Sequence, residues 1–235
     1  MTQFQQLATP SPLERVGERS DLVLTSDGSH TLFAPALDEC YHSTHGAIQE
    51  SRHIFIEDGM KQCAKSDISV LEIGFGTGLN AFLTLLEAAA SSKTVRYTSL
   101  ELYPVEVKIA LQLNYPEALA PDKRGLFELM HETPWNSNTL IGESLSLLKV
   151  KADYTNYEFQ EKYDLVYFDA FSPDKQPEMW TEERFKILYD HCNPGAILTT
   201  YCSKGVVRRA MQGAGFTVER LPGPPGKRQI LRAVK

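Results

Sequence analysis

The sequence contains no Cys-x-x-Cys pair, no apolar leader and no unbroken apolar run near the ~18 residues that a membrane span requires. Its four cysteines, Cys40, Cys63, Cys192 and Cys202, are scattered, so neither a disulfide framework nor a structural zinc site is expected. Cys40, His42 and His45 share one short stretch but lack a fourth partner at ligand spacing, and no metal is expected there. Internal repeats and low-complexity tracts are also missing. These absences exclude secreted disulfide scaffolds, repeat arrays and membrane spans, and they fit a reducing cytoplasm.

The 235 residues, 42% of them hydrophobic, suffice for one full core. The polar opening MTQFQQLATPSPLERVGERSD suggests a disordered tail over residues 1–20, followed by a small N-terminal β-element (21–60) and a main domain (61–235). Net charge is −6, but its distribution is uneven. Between Ser203 and Lys235 eight basic residues face Glu219 alone, a local +7 that leaves −13 on the other 202 residues. That segment is a candidate anion-binding face on an acidic body.

Within 21–60, DLVLTSDGSHTLF and RHIFIEDG read as short strands, the first bent at Ser26, Asp27 and Gly28. From Ile68 onward strand-like and helix-like patterns alternate. ISVLEIG is a buried-type strand, and Leu79, Phe82, Leu83 and Leu86 then recur at helical spacing. VRYTSLEL is the next strand, and Pro104 suits a first helical position in PVEVKIALQLN. Segments 126–130 and 138–142 read as extended, ESLSLLKV as a short helix, and YDLVYFDAF as the most apolar strand. Thr181 suits the cap of a helix carrying Phe185, Leu188, Tyr189 and Cys192 on one face. GAILTTYC is a further strand. A helix follows from Ser203 with Val206, Val207, Ala210, Met211 and Ala214 on its buried face, and a hairpin across a Pro/Gly turn ends the chain. Repeated βα units closed by an antiparallel hairpin predict an α/β fold with a mostly parallel, doubly wound sheet.

VLEIGFGTGLN places Gly74, Gly76 and Gly78 between a strand and a helix, where bare backbone can approach a ligand. A dinucleotide fingerprint needs glycine where Leu79 stands, and a Walker loop needs Gly-Lys-Ser/Thr; neither is present. The pattern E-x-G-x-G-x-G resembles motif I of the class I, Rossmann-like S-adenosylmethionine-dependent methyltransferases. The resemblance implies that Glu72, Gly74, Gly76, Gly78 and Asn80 hold the aminocarboxypropyl end of the cofactor. Glu101 ends the next strand, where a carboxylate can accept hydrogen bonds from both ribose hydroxyls. Gly142, Glu143 and Ser144 follow the third extended segment, where such enzymes contact adenine. The competing readings are a glycine turn that only packs strand on helix and a solvent-facing glutamate.

Asp169 ends the strand placed beside the glycine-loop strand, at the edge where open α/β sheets bind ligands. The stretch DAFSPDKQPEMWT (169–181), with HGAIQESRHIF (45–55), EIGFGTGLN (72–80), GVVRRAMQGAGF (205–216) and GKRQIL (226–231), resembles one family in order. That family is the methyltransferase domain of the bifunctional tRNA 5-methylaminomethyl-2-thiouridine biosynthesis proteins, the MnmC type, and its stand-alone relatives. Similarity to it implies methyl transfer to the primary amine of 5-aminomethyl-(2-thio)uridine at the tRNA wobble position. S-adenosyl-L-methionine would be the cofactor, without a metal or FAD, and enzymes installing the aminomethyl group would act upstream. The family's flavin-dependent oxidative step is not expected of this chain.

On this reading Asp169 is the catalytic group, oriented by a loop that Pro173 and Pro177 stiffen. A primary amine of pKa near 10 is only about one part in a thousand neutral at pH 7, and an ordinary Asp is some six units too acidic to deprotonate it readily. Orientation is therefore the first role for Asp169, with base action reserved for a buried, pKa-raised carboxyl. Phe171 is placed beside the uracil ring or in the core. Lys204, Arg208, Arg209, Lys227 and Arg228 are candidate tRNA-phosphate contacts, against the alternative of a solvated face. Glu50 and Arg52 fall in a segment that the resemblance sets near the site mouth, while Trp135 and Trp180 are expected to pack. The rival functions are a small-molecule amine methyl- or aminopropyltransferase and a non-catalytic cofactor-binding subunit of an RNA-modifying complex.

Overall fold

The computed structural model describes residues 20–235, so the tail expected over 1–20 lies outside the described residues apart from Ser20. The described residues open with a three-stranded antiparallel sheet, β1 (Asp21–Leu24), β2 (His30–Ala34) and β3 (Glu39–Cys40). Asp27 shapes the first turn: its Oδ1 accepts from the Ser29 N–H at 2.9 Å and the Thr25 hydroxyl at 2.7 Å, and Gly28 supplies φ +81°. Helix α1 (Ala47–Ser51) runs directly into a wider π-helical turn, Arg52–Glu57, closed by the Asp58 N–H on the His53 carbonyl at 3.1 Å. This corrects the strand expected for RHIFIEDG. Three consecutive apolar residues, Ile54, Phe55 and Ile56, are all buried here, with the Phe55 ring 5.1 Å from that of Tyr167.

Among the described residues the main sheet has eight strands: β4 (Asp67–Ile73), β5 (Thr94–Glu101), β6 (Asn138–Ile141), β7 (Leu145–Lys151), β8 (Tyr163–Phe168), β9 (Cys192–Thr200), β10 (Thr217–Pro222) and β11 (Gln229–Val234). Their order is β10-β11-β9-β8-β4-β5-β7-β6. The five central strands, β7 to β9 in that order, are parallel; β11 and β6 run against their neighbours. Helices α2 (Leu79–Ser91), α3 (Val107–Ala110), α4 (Tyr115–Leu119), α5 (Arg124–Glu132), α6 (Glu182–Asp190) and α7 (Gly205–Gly213) lie between these strands in the chain. Val70 and Tyr97 pack with α2 residues such as Phe82, whereas Leu71, Val166 and Phe168 pack with Phe185 of α6 and Met211 of α7. The sheet is thus covered on both faces, as central strands as apolar as β4 and β8 require.

Three further expectations are corrected. Pro104 lies ahead of the helix it was assigned to, since α3 begins after Glu106. Residues 126–130 are helical within α5, which buries Phe127, Met130 and His131 at i, i+3 and i+4. ESLSLLKV is strand β7, not a helix, with Leu145, Leu147 and Lys149 turned inward at period two. The cap at Thr181 is present, its side chain accepting the Arg184 N–H. On α7, Val207 and Met211 are buried, but Val206 is 56% exposed and does not belong to the packed face.

Candidate active site

At the carboxyl ends of β4, β5, β7 and β8 the structure encloses a cavity of about 340 Å³. Its floor is the glycine loop after β4. Gly74, Gly76 and Gly78 adopt φ of +95°, +49° and +73°, a left-handed run that side chains with a Cβ resist. At Gly74 a Cβ would stand 2.7 Å from the Asp169 carbonyl oxygen, and at Gly76 it would stand 2.9 Å from the Tyr41 ring. The loop is therefore pressed between the Asp169 backbone on one side and the N-terminal sheet on the other.

Glu101, at the end of β5, lines the cavity and accepts the Gly76 N–H at 3.1 Å and the Tyr103 N–H at 2.9 Å. Burial raises its pKa, and those amide bonds oppose the rise. Each oxygen keeps acceptor capacity for a hydroxyl pair. The loop, the carboxylate and the cavity fit the aminocarboxypropyl and ribose parts of S-adenosylmethionine, with bare glycine backbone where a Cβ would intrude.

Glu72 is placed differently from its expected role. It is fully buried behind the loop rather than lining the cavity; its Oε2 accepts the Ser99 hydroxyl at 2.7 Å, while Oε1 has no hydrogen bond. Burial pushes its pKa up to about 8, against the opposing Ser99 bond and with help from the Asp169 charge. Asn80, from the first turn of α2, lines the cavity and donates its Nδ2 to Asp169 Oδ2 at 2.8 Å. Gly78 faces the His131 ring instead of the cavity. Gly142, Glu143 and Ser144 form the turn entering β7, whose first residue pairs with Val95 at the start of β5. They sit at the opposite edge of the sheet, roughly 20 Å away by strand rise. This corrects the adenine expectation, and its cause is the misread β7: the residues that leave this strand at the cavity are Ala152 and Asp153.

Asp169 follows β8 directly, and its N–H donates to the Ile73 carbonyl at 3.0 Å, tying it to the end of β4. Burial raises its carboxyl to about 7; the Asn80 bond opposes this, the Glu50 charge adds to it, and the Lys227 charge lowers it. The loop that follows is pinned by hydrogen bonds: Tyr201 OH to the Ala170 carbonyl at 2.9 Å, Trp180 Nε1 to the Phe171 carbonyl at 2.9 Å, and Ser172 Oγ to Glu39 at 3.0 Å. Pro177 opens the short helical turn Pro177–Trp180. Phe171 lines the cavity and meets Tyr41 edge to face with ring centres 5.0 Å apart.

The basic candidates do not form one patch of free cations. Lys204 pairs with Asp174, Arg208 is half-buried with its Nε unpartnered, and Arg209 and Arg228 are exposed. Lys227 lines the cavity and pairs with Glu50 at 3.0 Å. Reading from the residues missed Glu39, Tyr41, Thr77, Asp153 and Tyr201 in the wall. Of these only Asp153 had a local signal, as an acid just beyond β7, and reading that segment as a helix concealed it. His42, one of the three residues weighed for a metal, instead contacts Thr77 Oγ1 at 2.7 Å and is held neutral by burial, its pKa down to about 4. Among the described residues no cluster of His, Cys, Asp and Glu converges as a metal site.

A family model described as S-adenosyl-L-methionine-dependent methyltransferase matches residues 137–235. The MnmC bifunctional protein of Magnetococcus marinus is 32% identical over 231 residues, 92% of this chain and 34% of the relative. The chain is similar to the MnmC proteins over nearly all of its length. The counterpart from Pseudomonas fluorescens is 33% identical over 83% of the chain and 32% of its own length. This chain thus spans about a third of those relatives. Among solved structures, MNMC2 from Aquifex aeolicus superposes with a TM-score of 0.74 at 27% identity, covering 92% of this chain and 70% of that one. The spermidine synthase of Thermotoga maritima shares the fold, at a TM-score of 0.57 and 15% identity. The fold is that of the S-adenosylmethionine-dependent methyltransferases, with a small antiparallel β-element ahead of it.

Proposed function

We propose that residues 21–235 form an N-methyltransferase converting 5-aminomethyl-(2-thio)uridine to 5-methylaminomethyl-(2-thio)uridine at the tRNA wobble position. The observation that carries this reading is the placement of Asp169: a partly buried carboxylate one strand away from the glycine loop, in the same cavity as Glu101. Similarity to the MnmC relatives supports the substrate. S-adenosylmethionine supplies an electrophilic methyl sulfonium when bound. Gly74, Gly76, Asn80 and Glu101 would hold its amino-acid and ribose parts, and Ala152 with Asp153 would border the adenine.

The chain's own work is on the amine. Burial of Asp169 up to about 7 halves the gap to an alkylammonium near 10, so proton transfer falls from about 8 to about 4 kcal/mol uphill. Asp169 therefore orients the amine and can also take its proton. Asn80 fixes the carboxylate from behind, and Phe171 with Tyr41 forms an aromatic wall suited to the uracil ring. Arg208, Arg209 and Arg228 are the cations proposed to meet tRNA phosphates. We place the protein in the cytoplasm, after the enzymes that install the aminomethyl group, and assign none of its residues to the oxidative step or to a metal. Among the described residues no helix is long and apolar enough to cross a membrane.

The test is mass spectrometry of nucleosides from tRNA bearing the aminomethyl precursor, incubated with the protein and S-adenosylmethionine. Gain of one methyl on that nucleoside is expected. Turnover on free polyamines with no tRNA-dependent incorporation would replace this reading with a small-molecule amine transferase.

A further inference from the structure

The turn between β10 and β11 sends one lysine into the cavity. Lys227 Nζ lies 3.0 Å from Glu50 Oε1 and 4.5 Å from the centre of the Tyr201 ring. Glu50 is anchored: its side chain is only 9% exposed and its Oε2 accepts the Ser43 N–H at 2.9 Å. Its Oε1 makes no hydrogen bond despite the ion pair, leaving a buried acceptor aimed at the cavity that Glu50 lines. Tyr201 is fixed through its hydroxyl on the carbonyl of Ala170, next to Asp169. One carboxylate and an aromatic face therefore meet an alkylammonium, and the Asp169 carboxylate lines the same cavity within reach of its charge; these are the groups that recognise a primary amine. Among the described residues lining the cavity, Lys227 is the only lysine or arginine.

We propose that Glu50, Asp169 and Tyr201 form the seat of the acceptor's primary ammonium group, and that Lys227 occupies this seat until the acceptor displaces it. The proposal rests on the amine-transfer reading above. Two ammonium groups repel at this distance, so acceptor and lysine alternate. The four-carbon lysine stem, next to Gly226 at φ +87°, lets the charge leave without moving the sheet. Lys227 is accordingly removed from the phosphate contacts and becomes a positioning residue that competes with substrate and sets its threshold for entry.

The test uses n-butylammonium, the lysine side chain without its backbone, titrated calorimetrically into wild-type, K227A and K227A/E50Q protein. K227A is expected to bind it at least tenfold more tightly than wild type, and the double variant to lose that gain. The KM of K227A for precursor tRNA is expected to fall at least threefold, with the Kd for S-adenosylmethionine unchanged. No gain in butylammonium affinity, or a tenfold rise in tRNA KM, would overturn the proposal. K227M, which keeps an apolar stem over Tyr201, is read by the same criteria should K227A fail to bind S-adenosylmethionine. The gain in K227A without tRNA methylation by wild type would sink the reaction reading and leave the seat standing. Methylation without the gain would sink the seat alone.

Discussion

Around residues 74–78 the cavity wall is backbone, whereas the side facing it is built of side chains from β3, α1, the loop after β8, the end of β9 and the β10–β11 turn. On the glycine side, tolerance is set by where a Cβ would collide. On the Asp169 side, it is set by charge: Glu39, Glu50 and Asp169 against Lys227. A backbone wall constrains a few consecutive positions to one residue type. A wall of side chains needs only the right groups from anywhere in the chain.

Breaking the backbone side should have the largest effect. Gly74→Ala puts a methyl 2.7 Å from the Asp169 carbonyl at φ +95°, and S-adenosylmethionine affinity is expected to fall about a hundredfold or more by calorimetry. On the charged side, Asp169→Asn should lower turnover by about a hundredfold while cofactor Kd stays within about twofold. With the carboxyl raised to about 7, wild-type kcat/KM should climb as pH rises through that value, and the variant should lack this limb.

Glu72 lies behind both walls, and its effect is on stability. Its folded pKa of about 8 lies above the ordinary 4.5, so its contribution is greatest below 4.5 and is lost as pH rises to 8. Glu72→Gln should therefore gain on wild type through that window, by about 4 kcal/mol at pH 8 in denaturant melts, and hold level above it. Reversing Arg208 and Arg209 to Glu should weaken tRNA binding about tenfold and flatten its salt dependence by about two phosphates, leaving cofactor affinity alone. The smallest effect is expected at the far edge of the sheet, where Glu143→Ala should leave cofactor Kd within about twofold; a larger loss there would undo the placement of the adenine end.

The same contrast explains what the sequence made legible. The glycine spacing, the acid ending β5 and the acid ending β8 are each fixed within a few residues of a strand end, and all three meet in the cavity. Glu50, Lys227 and Tyr201 converge only through tertiary folding, so no local pattern announces them. Strand β7 was hidden because one of its inward positions is Lys149. This lysine stays buried by donating to the His131 carbonyl at 2.8 Å and resting 4.9 Å from the Trp135 ring centre. Helix α5 was hidden by the run Leu126-Phe127-Glu128-Leu129-Met130, whose apolar spacing suits a strand until Phe127, Met130 and His131 are seen on one face. The turn 52–57 was hidden because its Ile-Phe-Ile core is buried all round.

Tyr41, carried on the N-terminal sheet, touches the place where a Gly76 Cβ would stand. A fragment trimmed to begin at Asp67 would keep all eight strands of the main sheet and the whole glycine loop. It would nonetheless have a cavity open on one side, with no Glu50 and no partner ring for Phe171. Residues 21–60 behave as the removable wall of a vessel, and any shortened version should be judged by ligand retention instead of by solubility.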